Sequence, residues 1–171
     1  MKLMMAIMVA ASAAGFPFAP AAFGAERSEP LIVNHLCVNL EEIPRTAVQD
    51  AIDNLVIAYG HTSHGSQLVT GMDSLPVFLG DSLFTWSYDG SNGTLELRDK
   101  AMPYDLGYPS WEPDTREYLD GHPEVNVVIW AWCGQLIYAT EEFVNEYLAK
   151  MTALEADYPN VSFVYMTDHL D

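Results

Sequence analysis

Three short, strongly apolar runs constrain this chain more than any other feature. They are Leu55-Val56-Ile57-Ala58-Tyr59, Val125-Asn126-Val127-Val128-Ile129-Trp130-Ala131 and Val161-Ser162-Phe163-Val164-Tyr165-Met166. Each is rich in β-branched and aromatic residues and reads as a buried strand. The stretches before and between them have helical spacing instead. Ala47, Val48, Ala51 and Ile52 follow Pro44, a first-turn proline, and predict a helix near 44–54. Leu68, Val69, Met72 and Leu75 predict a second near 66–75, and Asp114 to Leu119 a short third. Thr140 is placed to cap a long helix, with Glu141 and Glu142 at its positive end. Its apolar face is Phe143, Val144, Tyr147, Leu148, Met151 and Leu154, and Pro159-Asn160 ends it. Helix–strand alternation of this kind predicts an α/β domain, a mainly parallel sheet with helices on both faces.

Residues 76–111 break the rhythm. Pro, Gly, Asn and Asp punctuate short pieces there. Leu83 to Tyr88 and Thr94 to Leu97, separated by Asp89-Gly90-Ser91-Asn92-Gly93, predict a hairpin. The segment reads as an irregular insertion or lid on the single domain.

Each of the three strands ends in polar residues: Gly60 to Gln67, Trp132-Cys133-Gly134-Gln135, and Thr167-Asp168-His169. In a parallel sheet all three ends lie on one edge, where open α/β sheets bind ligands. The first is the densest. Gly60-His61-Thr62-Ser63-His64-Gly65-Ser66-Gln67 holds two imidazoles, three hydroxyls and an amide between a strand and a helix. A serine at such an elbow sees the positive end of the helix, and backbone N–H groups around it can donate to an oxyanion. Ser63 is therefore the candidate nucleophile and His64 a candidate partner for it. The literal Gly80-Asp81-Ser82-Leu83 spells a hydrolase signature, but Ser82 lacks a clear strand–turn–helix context, and Ser63 is preferred. A metal reading of His61, His64, Cys133, Asp168 and His169 is open on residue type alone.

The first 24 residues stand apart. Lys2 is their only charge, Leu3 to Ala14 is apolar, and Ala22-Phe23-Gly24 offers small residues for cleavage. This predicts a secretory signal peptide, hence a secreted or periplasmic protein with no membrane attachment after cleavage. The whole chain carries a net charge of −17, and loss of Lys2 takes it to −18. Such a surface repels phosphate backbones and excludes nucleic acid as a natural partner. Export permits a bridge between Cys37 and Cys133, but two distant thiols do not establish one. Cys133 can equally be a site residue.

The run Ala58 to Gln67, together with Trp130-Ala131-Trp132-Cys133-Gly134-Gln135 and Phe163 to Asp171, resembles a divergent group of exported bacterial proteins related to the SGNH/GDSL hydrolases. The resemblance implies a flavodoxin-like three-layer α/β/α sandwich. It implies metal-free and cofactor-free hydrolysis of a small-molecule or saccharide ester, often deacetylation. Ser63 matches the family's nucleophile. Gly107, in Asp105-Leu106-Gly107-Tyr108-Pro109, matches its oxyanion glycine, and Gln135 stands where the family has an asparagine. His61, Ser66, Gln67, Cys133, Asp168 and His169 are the expected substrate contacts. The family's base lies in an Asp-x-x-His near the carboxyl terminus, which is absent downstream of residue 135. The resemblance therefore implies a sheet and a catalytic set left incomplete at the carboxyl terminus. Two other functions share the scaffold: a sugar-binding module using Trp86, Tyr88, Tyr104, Tyr108 and Trp111, and a metal-dependent enzyme using His61, His64 and His169.

Overall fold

The computed structural model describes residues 31–167. The signal-peptide expectation and the roles given to Asp168 and His169 lie outside the described residues. The elements in chain order are α1 (Arg45–Asn54), β1 (Val56–Gly60), α2 (Ser66–Leu79), β2 (Trp86–Ser87), β3 (Leu95–Asp99), α3 (Trp111–Gly121), β4 (Val127–Trp130), α4 (Glu141–Asp157) and β5 (Ser162–Val164). The five strands form one sheet in the order β2-β3-β1-β4-β5, and every pairing is parallel.

Both faces of this sheet are covered, which explains the continuous apolar character of its central strands. Ile57, Tyr59, Leu97, Val127 and Ile129 pack with Val48 and Ala51 of α1 and Leu68, Met72 and Leu75 of α2. On the opposite face, Ala58, Val128 and Trp130 pack with Trp111 and Leu119 of α3 and Tyr147, Met151 and Leu154 of α4. The result is a three-layer α/β/α sandwich of flavodoxin-like kind. Thr140 caps α4 as expected, its hydroxyl accepting the Phe143 N–H at 3.3 Å.

Two expectations need correction. The stretch 76–111 is not merely an insertion, since it supplies β3, which lies directly beside β1. Nor do 83–88 and 94–97 form a hairpin. β2 and β3 run parallel, Trp86 opposite Leu95. The turn between them carries Gly90, Asn92 and Gly93 at φ of 65°, 58° and 71°, and it leads the chain back to start β3 beside the start of β2. In addition, α2 runs through Pro76 to Leu79, so no strand precedes Ser82.

The connections place a switch point at β1. From β1 the chain passes through α2 to β2 and β3 on one side. From β3 it crosses through α3 to β4 on the other. Ligand crevices of open α/β sheets form outside the carboxyl ends of strands at such a point. One close approach holds it. A Cβ on Gly60 would lie 2.5 Å from the Trp130 ring, whose Nε1 is fixed by a 2.9 Å hydrogen bond to Thr115 Oγ1. Gly60→Ala should therefore cost about 1–3 kcal/mol, the usual scale of overpacking. Urea unfolding should show this as a lower midpoint at unchanged slope, and an unchanged midpoint would show that the ring yields freely.

Candidate functional site

The turn after β1 is held from several sides. Tyr59 Oη donates to the Gly65 carbonyl at 3.0 Å. Burial, then the charges of Asp99 and Asp105, push the Tyr59 phenol well above its ordinary value, so it stays a donor. Asp105 clamps Thr62 twice, through the backbone N–H at 2.7 Å and the hydroxyl at 2.5 Å. Gly65 packs so tightly on His61 that a Cβ there would collide with the His61 side chain.

The helical ladder effectively starts inside this turn. Ser66 N–H donates to the Thr62 carbonyl at 3.2 Å, and Gln67 N–H to the His64 carbonyl at 3.0 Å. Thr62 thus acts as the cap, and Ser63 and Gly65 occupy the first turn, where N–H groups have no partner within the helix. Among the described residues, neither the Ser63 nor the Gly65 N–H donates to a backbone carbonyl. Ser63 itself is exposed on the turn. It lies in an open cleft of about 310 Å³ lined by His61, Thr62, Ser63, Ser66, Lys100 and Tyr104, with Met102 and Pro103. Lys100 is, among the described residues, the one lysine or arginine without a carboxylate partner.

The two imidazoles have different fates. His61 is buried, with its ring stacked on Tyr59 at 4.3 Å. Its Nε2 faces Asp99 Oδ1 at 2.6 Å and its Nδ1 faces the Thr62 carbonyl at 2.8 Å. Both ring nitrogens are therefore engaged by these two partners, with the tautomer setting which of them donates. With both nitrogens turned to Asp99 and the Thr62 carbonyl, the ring presents no free nitrogen to Ser63 or to a metal. His61 is thus a structural buttress beneath the turn. His64 is exposed, and its Nδ1 lies 3.2 Å from Cys133 Sγ, across the ends of β1 and β4. No side-chain hydrogen bond joins Ser63 Oγ to either ring among the described residues.

The second polar strand end meets the first as expected, through that His64–Cys133 contact. Gln135 folds back on its own turn, its Oε1 accepting the Cys133 N–H at 2.6 Å. This orientation leaves Nε2 as the donor end of the amide. Gly107, at φ 84°, lies against it: a Cβ there would sit 3.4 Å from Gln135 Cβ and 2.6 Å from the Trp132 ring. The two residues assigned to the oxyanion are therefore neighbours. Ser66 turns its hydroxyl back to the Ser63 carbonyl at 2.5 Å, and Gln67 is exposed in the first turn of α2.

Other candidates are separated from this edge. Ser82 begins a three-residue 3-10 turn capped by Asp81 and leads into β2, whose partner is the amino end of β3. It therefore lies toward the opposite edge of the sheet from Ser63. Trp111 is buried between Trp130 and Tyr147, and the Trp86 indole donates to Asp73, so neither is a free sugar platform. Tyr104 and Tyr108 are exposed and stacked on each other at 4.2 Å. Neither cysteine is bridged. Among the described residues no three His, Cys, Asp or Glu side chains converge as a metal site would require.

Two carboxylates that organise the site, Asp99 and Asp105, were not assigned roles by the sequence reading. The available signal for Asp99 was its place as a polar end to Leu95-Glu96-Leu97-Arg98, a fourth strand end like the other three. Comparison with known protein families, with curated proteins and with solved structures finds no match to this chain.

Proposed function

We propose that this chain is an exported serine esterase-like hydrolase acting on a small neutral ester, with an acylated saccharide the favoured case. The observation that carries the reading is the position of Ser63. It is exposed at the elbow between the central strand and α2, at the switch point, among first-turn N–H groups suited to a developing oxyanion. Gly107 and Gln135 adjoin each other, but Gly107 opens onto a separate cleft with Trp111 and Phe143, so the reading rests on the donors around Ser63 itself. The net charge of −17 disfavours polyanionic substrates, while Lys100 leaves the cleft one positive point.

In this reading Ser63 Oγ attacks the ester carbonyl, the carbonyl oxygen takes the negative charge among the N–H donors, the alcohol leaves with a proton returned by the base, and water then releases the acid from the acyl-serine. The proton of Ser63 passes to a base other than His61. A fluorophosphonate probe tests the nucleophile directly. The expected adduct maps by mass spectrometry to Ser63, disappears in Ser63→Ala and persists in Ser82→Ala. An unlabelled wild-type protein sinks the proposal. The exposed Tyr104–Tyr108 stack favours one other reading, a sugar-binding module, which predicts saccharide binding without any adduct.

A further inference from the structure

The chain has two thiols in contrasting surroundings. Cys37 and Cys133 are both half-buried. Cys37 Sγ has the Asn34 amide oxygen 4.0 Å away, a group that cannot accept a proton in a reaction near neutral pH. Cys133 Sγ has an imidazole nitrogen, His64 Nδ1, at 3.2 Å. Nucleophile and base within hydrogen-bond reach is the geometry of an assisted thiol. The pair is also well fixed. Its members come from the ends of adjacent parallel strands, 69 residues apart. The Cys133 N–H is held by Gln135, and the preceding Trp132 indole donates to the Met166 carbonyl at 2.9 Å.

We propose that Cys133 is a modification site for soft carbon electrophiles, assisted by His64, and that its modification blocks the Ser63 site. With an α,β-unsaturated carbonyl compound, the sulfur forms a bond to the β carbon as His64 Nδ1 takes the thiol proton. The π electrons move to the α carbon, which then receives a proton from His64, so nothing is lost or gained beyond addition of the thiol. With an alkyl halide, the carbon–halogen bond breaks instead and halide leaves with the bonding pair. The adduct lies between His64, next to Ser63 in the turn, and Gln135, which neighbours Gly107. It therefore crowds Ser63 from the β4 side of the turn, beside the cleft rather than inside it. This blocking rests on the Ser63 reading, whereas the reactivity of Cys133 does not.

The test is alkylation of the folded protein with iodoacetamide, followed by mass spectrometry, with Cys37 as the reference in the same molecule. Cys133 should react roughly tenfold faster than Cys37 or more, the low end of what a positioned base contributes. His64→Gln should bring the two rates together while a thermal melt shows the variant folded. Equal rates in the wild type, or a ratio that survives His64→Gln, would overturn the pairing. A second arm measures fluorophosphonate labelling of Ser63 after alkylation. Labelling should fall in step with the fraction of Cys133 alkylated, read from the same spectra, and be independent of the fraction of Cys37 alkylated. Full labelling of the alkylated wild type overturns the blocking. Absence of labelling before alkylation overturns the serine reading alone and leaves the thiol result standing.

Discussion

Ser63→Ala should remove ester turnover and leave the fold intact. Turnover should fall to what binding and the oxyanion groups sustain without a nucleophile, roughly 10³–10⁴-fold over water. Ser63 is exposed, and its hydroxyl makes no hydrogen bond to the described residues. The Ser66 hydroxyl binds the Ser63 carbonyl, which alanine retains. Stability should therefore change by no more than about 0.5 kcal/mol. The pairing of outcomes matters. A drop in both activity and melting temperature would assign Ser63 a structural role, and unchanged turnover would place the nucleophile elsewhere. Initial rates on an activated acetate ester, beside a thermal melt of each protein, separate these cases.

The second large effect concerns stability. Asp99→Ala removes the acceptor opposite a His61 ring that is only 1% exposed, while Asp99 itself is 26% exposed. A buried donor left without a partner is costly, and breaking a buried pair from one side typically costs about 3–5 kcal/mol. The partial exposure of Asp99 admits some water, so the low end, about 3 kcal/mol, is expected. For a chain of this size that lowers the melting temperature by about 10 °C. Asp99→Asn keeps an acceptor oxygen and should cost far less. Equal losses in the two variants would mean that the His61–Asp99 hydrogen bond is not what stabilises the turn. Activity should fall with Asp99→Ala as well, since His61 supports Thr62 and Ser63 from below.

The central strands were legible because a strand buried on both faces must be apolar throughout. The runs at 55–59 and 125–131 say so without any tertiary information and appear as β1 and β4 with slightly shifted ends, while the run at 161–166 appears as β5, a partly buried strand at the sheet edge. β3 was not legible. Leu95-Glu96-Leu97-Arg98-Asp99 alternates as a half-solvated antiparallel strand does, which suggested a hairpin arm. Leu95 and Leu97 do enter the core. The polar positions are accommodated because Arg98 bridges Glu96 and Glu124, both at 2.7 Å, an arrangement that depends on a residue 26 positions away. Long-range ion pairing concealed a parallel strand behind an antiparallel pattern.

The same division holds at the site. Local sequence determined that a polar elbow follows β1 and that Ser63 stands on it, because an apolar run, a glycine and an amphipathic helix allow little else. It also placed His61 and His64 within two residues of Ser63. Where each ring points is a tertiary decision. Asp99, 38 residues on, takes His61 into the protein interior, and Cys133, 69 residues on, meets His64 at the mouth of the crevice. An imidazole's role is set by the groups facing its two nitrogens, and here the order of the strands brought those groups into place.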